Sequence, residues 1–168
     1  MLRGSRAGTE ITIDVTAADG STAKSYTLTI TREDLQLFIQ QAYAKASNTG
    51  NEDFFGRSVA LYGDTLAVGA SNEDSNGTGV NSDSLTNNDA NDSGAVYVFT
   101  RNENTWSQQA FVKASNTGEH DLFGQSVALY GDTLAVGASG EGSNGTGVHS
   151  DSLANNDAYE SGAVYVFR

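Results

Sequence analysis

Residues 55–71, running from Phe55-Gly56 through Gly69-Ala70-Ser71, return at 123–139 with one change, Arg57 becoming Gln125. The period is 123 − 55 = 68 residues, and Lys45–Thr100 laid on Lys113–Arg168 gives about 45 identities in 56 positions. Units repeated this closely bury their cores against one another rather than singly. Inside the repeat, two apolar runs flank Gly63-Asp64, which reads as a tight β-hairpin. With the turn there, Leu61 faces Leu66 and Val59 faces Val68, while Ala60 faces Ala67 and Tyr62 faces Thr65 on the other side. One face is bulky and branched, the other nearly flat. Stacked sheets lie roughly 10 Å apart, and small residues on one face allow a closer approach.

Each unit offers four strands. In the first unit these are Ser58–Tyr62, Thr65–Ala70, Gly94–Arg101, where Val96 and Val98 alternate with Tyr97 and Phe99, and Trp106–Ala114. Gln40–Gly50 matches Gln108–Gly118, and Phe38 lies on Trp106, so the helix suggested by Leu35, Leu37, Phe38 and Ile39 yields to the repeat. Four antiparallel strands per repeat make a β-propeller blade. The expected fold is all-β, with two blade repeats at about 38–105 and 106–168 forming an incomplete propeller, since rings typically need 4–8 blades. The chain runs from a fourth strand, through a full blade, to strands one to three ending at Phe167, so its two ends complement each other. Exposed edge strands and self-association are expected, or further repeats in a longer chain.

Residues 1–34 form a separate unit. Ile11, Ile13 and Val15 alternate with polar residues, as do Tyr26, Leu28 and Ile30, with Asp19-Gly20 as the turn between. This hairpin, with its Ile11–Gly20 and Tyr26–Arg32 runs, resembles the last strands of bacterial cadherin-like β-sandwich domains. It reads either as a stump of such a domain or as accessory strands beside the first blade. A formal net charge of −12 disfavours nucleic acid, which needs clustered cations. No Cys is present, which excludes disulfides and thiolate metal sites, and no apolar run approaches the roughly 20 residues of a membrane helix. Met1–Arg6 is not followed by an apolar leader, so a leader is expected elsewhere or not at all.

Phe55-Gly56, Gly69-Ala70 and Gly94-Ala95-Val96-Tyr97-Val98-Phe99, with their copies at Phe123-Gly124, Gly137-Ala138 and Gly162–Phe167, resemble the FG-GAP repeat of integrin-α-like β-propellers and their bacterial relatives. The resemblance implies a secreted or cell-surface propeller that binds a protein or glycan partner through its loops, often with calcium. Ser71 and Ser139 stand where the motif ends in Pro. The family's Asp-x-Asp-x-Asp-Gly calcium loop between the first two strands is reduced here to Gly63-Asp64 and Gly131-Asp132, too short to supply six to eight oxygens. That calcium site does not carry over.

The candidate site is the long Asn/Asp/Ser/Gly loop of 72–93 and its copy. Loops of this length are uncommon and usually functional or disordered. Glu73, Asp83 and Asp89, with Glu141, Asp151 and Asp157, are the acidic residues kept in both copies. Carboxylates among carbonyls suit calcium; the same residues equally serve local turns in a solvated loop. Asp53 and Asp121 are expected to cap turns, and Asp64 and Asp132 to form them. His120 and His149 each occur in one copy, which speaks against zinc or catalysis. No Gly-x-Ser-x-Gly elbow is present, and no carboxylate pair is singled out by spacing. The reading is a non-enzymatic binding or adhesion module. A calcium-stabilised spacer and a fragment of a propeller hydrolase are the rival readings.

Overall fold

The computed structural model describes residues 8–16, 23–31, 39–82, 87–148 and 155–168, the first two stretches by their backbone. The chain divides into residues 1–40 and 41–168. In the first unit, β1 (Gly8–Thr16) pairs antiparallel with β2 (Ala23–Thr31), in a register that sets Ile11 against Leu28 and Ile13 against Tyr26. The alternation at Glu10–Thr16 and Tyr26–Thr31 therefore does form a hairpin, two or three residues longer than expected at its open and closed ends.

The second unit holds two antiparallel sheets. The first orders β3 (Ser58–Tyr62), β4 (Thr65–Ala70), β5 (Ala95–Asn102) and β6 (Thr105–Val112) side by side. The second orders β7 (Phe123–Tyr130), β8 (Thr133–Ala138) and β9 (Ala163–Phe167). The expected four strands in each repeat are thus four and three. Gly63 and Asp64 form the β3–β4 turn, and Val59↔Val68, Ala60↔Ala67 and Leu61↔Leu66 are the pairs. Gly63 takes a φ of 56°, open to glycine at no steric cost. β5 runs one residue later than the expected Gly94–Arg101, and β6 begins one residue earlier and ends two earlier than Trp106–Ala114; the two strands shift register between Val98 and Phe99.

The two faces of the hairpin decide how the sheets stack. Ala67, Val96, Val98, Ala110 and Val112 come from the small-residue face of the first sheet. They pack against Phe123, Val127, Leu129, Leu134, Val136, Tyr165 and Phe167, the bulky face of the second. The contact is therefore flat on bulky, in one direction only. The bulky face of the first sheet builds another cluster, with Val68, Tyr97, Phe99 and Phe111 packed by Phe55 and Leu66 and covered by Ala44 and Ala46. Its aromatic rings meet edge to face, Tyr97 lying 5.4 Å from Phe55 and 5.1 Å from Phe111, an arrangement worth about 1 kcal/mol per pair beyond burial. Trp106 packs here too, with the Arg101 guanidinium 5.6 Å from its ring centre.

Phe123 and Gly124 lock the sheets together. Phe123 N donates to Ser93 O at 3.0 Å, and Ser58 Oγ donates to Gly124 O at 2.6 Å. Gly94 and Phe123 form a parallel bridge across the interface. A methyl group added at Gly69 would collide with the Gly124 carbonyl oxygen, and one at Gly94 with that of Phe123. The glycine-alanine pairs thus leave room for the next sheet's phenylalanine-glycine pair, which is why both dipeptides recur together.

Candidate functional site

The long loop begins where β4 ends, and its base is built from buried polar groups. Glu73 and Ser75 are buried. The Glu73 carboxylate accepts from Ser75 Oγ, Asn48 Nδ2 and Lys113 Nζ, each at 2.9 Å. Lys113 is fully buried and also donates to Ser93 Oγ at 2.8 Å. Ser93 Oγ in turn donates to the carbonyls of Glu73 and Ser75. Burial pulls the Lys113 ammonium below the usual lysine value, while the Glu73 charge and hydrogen bond hold it up. A buried charge is tolerated only when paired and hydrogen-bonded, and every group in this network is.

Among the described residues, the second copy repeats the base without the cation. Glu141 is buried and accepts from Asn116 Nδ2 at 3.0 Å and from the backbone N and Oγ of Ser143 at 3.1 and 3.0 Å. Ser161 Oγ donates to the carbonyls of Glu141 and Ser143. The residue one period after Lys113 falls past Arg168. Tyr97 and Tyr165 stand beside the two networks, each donating its hydroxyl to an asparagine, Asn48 at 2.6 Å and Asn116 at 2.7 Å. Burial raises both phenols well above the ordinary tyrosine value, and the nearby carboxylates add to it.

Beyond its base, the loop folds back along the sheet. Gly79 N donates to Ala114 O, Lys113 N to Gly79 O and Asn81 N to Phe111 O, so Val80 bridges Val112 on the outer side of β6. The loop covers the edge strand, a device that blocks pairing with other chains. Farther along, Asn76 and Asn87 hold each other through reciprocal bonds at 3.0 and 3.1 Å, and Asn144 and Asn155 repeat them. Asp89 and Asp157 are exposed, their backbone amides donating to Asn87 and Asn155. Asp157 also accepts from Asn144 at 3.4 Å.

Of the six acidic candidates, Glu73 and Glu141 therefore lie at the loop base and Asp89 and Asp157 on its exposed part; Asp83 and Asp151 lie outside the described residues. Among the described residues no three His, Cys, Asp or Glu side chains are grouped to hold a metal ion. A cleft of about 280 Å³ opens at the base of the first loop between Asn48, Thr49, Gly50, Asp53, Glu73, Asp74 and Asn88. Asp53 closes the turn before it, accepting from Gly50 N at 2.6 Å, and Asp121 accepts from Gly118 N at 2.8 Å. Burial raises both carboxyls above the ordinary aspartate value.

Other sequence candidates take local roles. Asp64 sits in its turn and pairs with Arg101 at 2.6 Å; Asp132 pairs with Arg168 at 3.1 Å. His120 is exposed beside Asp92 at 3.3 Å; His149 lies outside the described residues. Sequence reasoning missed the Lys113–Glu73 pair. Its signal was a lysine kept in both copies inside the apolar run Phe111-Val112-Lys113-Ala114. It also missed the left-handed backbone at Glu52, Phe54 and Asp92, repeated at His120, Leu122 and Glu160 with φ of 51–64°. That conformation is unfavourable by about 1–2 kcal/mol per residue without glycine; in the second copy it accompanies the bonds from Leu122 N to Asp92 O and Phe123 N to Ser93 O that join the two repeats.

Compared with known families, residues 38–99 and 106–167 each match the FG-GAP repeat. No curated protein and no solved structure gave a significant match.

Proposed function

Because the chain belongs to the FG-GAP repeat family, we propose that it is a non-enzymatic binding module of a bacterial cell surface, engaging a protein or glycan partner through its paired loops. The supporting observation is the same loop design in both repeats: a base of one buried glutamate hydrogen-bonded through two serines, of which only Ser161 in the second copy is exposed, and an outer part of exposed asparagine and aspartate. A rigid base with an exposed polar rim suits recognition, and two copies on adjoining sheets suit a repetitive partner, where avidity multiplies weak contacts. Catalysis would need groups special to one repeat. Here Ser75 and Ser143 donate their hydroxyls to Glu73 and Glu141, and Ser93 and Ser161 donate theirs to backbone carbonyls, alike in both copies. The N-terminal hairpin is read as the end of a cadherin-like domain preceding the repeats.

The test is binding of the chain to an array of glycans and extracellular-matrix proteins, repeated with Asn88→Ala/Asp89→Ala and Asn156→Ala/Asp157→Ala. One class of partner should be retained by the chain, weakened by either pair of substitutions and lost with both. Binding unchanged by all four substitutions would overturn the reading, as would an array on which nothing is retained.

A further inference from the structure

The stacked sheets leave a tail and a head uncovered, and each has its occupied counterpart within the chain. The small-residue face of the second sheet is open, with Val164 and Val166 72% and 68% exposed, whereas Val96, one period earlier, is fully buried. A hollow of about 360 Å³ lies on that face between Ser126, Gly137, Ala138, Gly162, Ala163 and Val164. One period earlier the same hollow is filled by Phe123 and Gly124, whose carbonyls crowd Gly94 and Gly69. At the other end, Val59 and Leu61 on the bulky face of the first sheet are each 63% exposed. Their equivalents Val127 and Leu129 are packed into the inter-sheet core.

The third complementary pair is one of charge. Glu141 is buried with hydrogen bonds but, among the described residues, no ion-pair partner. Lys45 stands at the repeat position of Lys113 yet is exposed, on a segment whose Ala44 and Ala46 already lie over the first sheet as Val112 and Ala114 lie over the second. The outer side of β9, which β6 covers on β5, has no strand beside it among the described residues.

We infer that these surfaces take a second copy of this chain, head to tail. Residues 43–46 of one copy extend the other's second sheet beside β9. In the register that β6 keeps with β5, Ala44 falls against Val164 and Tyr43 against Tyr165. Lys45 then reaches Glu141 and Ser161 as Lys113 reaches Glu73 and Ser93. Phe55 and Gly56 of the first copy enter the hollow at Gly137 and Gly162 of the second. The occupant follows from the chain itself, because the open surfaces repeat, position for position and with Tyr43 and Ala44 standing for Phe111 and Val112, the two sides of an interface already formed within it. A head-to-tail contact of this kind closes into a ring or propagates. Propellers typically close at 4–8 blades, which two to four copies supply.

The test is the solution mass of the full chain by light scattering after gel filtration, up to roughly 100 μM, a range that reveals Kd values of that order. Tail-blocked Val164→Glu/Val166→Glu and head-blocked Val59→Glu/Leu61→Glu variants change only exposed side chains. The wild-type chain should run at two to four times its 17.6 kDa, and each variant at the single mass. An equimolar mixture of the two variants should regain a two-copy species through the one intact head and the one intact tail. Lys45→Ala should weaken the wild-type assembly about tenfold or more, as for a lost charged hydrogen bond. A wild-type chain that stays single, variants that assemble like the wild type, or a mixture that stays single would each overturn the inference.

Discussion

Replacing Lys113 by methionine tests whether the loop base is held by a buried ion pair. The ammonium is fully buried and the Glu73 side chain is 3% exposed, with Nζ 2.9 Å from Oε2. Methionine fills most of the volume but leaves the carboxylate buried with two neutral donors, Asn48 and Ser75. Removing one member of such a pair is destabilising by about 3–5 kcal/mol, because the survivor's charge is uncompensated. For a chain of this size that lowers Tm by about 10 °C. Lys113→Met/Glu73→Gln removes both charges and keeps the neutral acceptor, so it should regain most of the loss. Glu141→Gln is the internal control: with no lysine opposite it in the same copy among the described residues, it should change stability by less than about 1 kcal/mol at concentrations where the chain is a single copy. Urea unfolding of the wild type, Lys113→Met, Glu73→Gln and Lys113→Met/Glu73→Gln gives the cycle directly. If Lys113→Met falls within 1 kcal/mol of wild type, or the double variant is no better than the single one, the pair does not hold the loop base.

The remaining predictions concern protons and metal. Asp53 and Asp121 have raised pKa values, chiefly from burial, so on acidification the folded chain takes up these protons before the unfolded chain does. Their ionisation opposes folding above the raised values, and that opposition is gone below the ordinary aspartate value. Asp121→Asn, which keeps an acceptor for Gly118 N, should therefore match or exceed the wild-type Tm at pH 7, with the gap closing towards pH 4; a lower Tm at pH 7 would contradict this. Calcium at millimolar concentration should leave Tm unchanged within about 1 °C, since the Glu73 carboxylate already takes three donors. A rise of several degrees, checked against magnesium, would place calcium among the loop carboxylates.

The hairpin was legible because local rules fix it. Gly63-Asp64 sets the turn, and the period-2 pattern of Val59, Leu61, Leu66 and Val68 sets the face, so the register follows without tertiary information. The flat side was legible too, from Ala60 and Ala67. What covers it was not, since alternation within one sheet does not say which face of the neighbour arrives. The bulky face of the second sheet arrives through a join the sequence does not announce: His120, Leu122 and Phe123 bond the carbonyls of Asn91, Asp92 and Ser93, with left-handed backbone at His120 and Leu122 rather than at glycine. The loop was misleading for a similar reason. Its composition reads as solvated, yet Glu73, Ser75 and Ser93 are buried, and a lysine 40 residues away in sequence pairs with Glu73 there. Such a pairing leaves only the retention of Lys113 and Glu73 across both repeats as its trace.

The stacking of one sheet on the next is tested most directly by paired alanine substitutions at Gly69 and Gly137. The two glycines share the same flanking residues and the same crowding by a serine hydroxyl in their own sheet, Ser58 or Ser126. They differ in the Gly124 carbonyl oxygen, which a methyl at Gly69 would strike and which has no counterpart at Gly137. Measured by urea unfolding at concentrations where the chain is a single copy, Gly69→Ala should be less stable than Gly137→Ala by about 1–3 kcal/mol, the range for overpacking a close contact. Equal losses at the two positions would mean that the second sheet does not sit on the first.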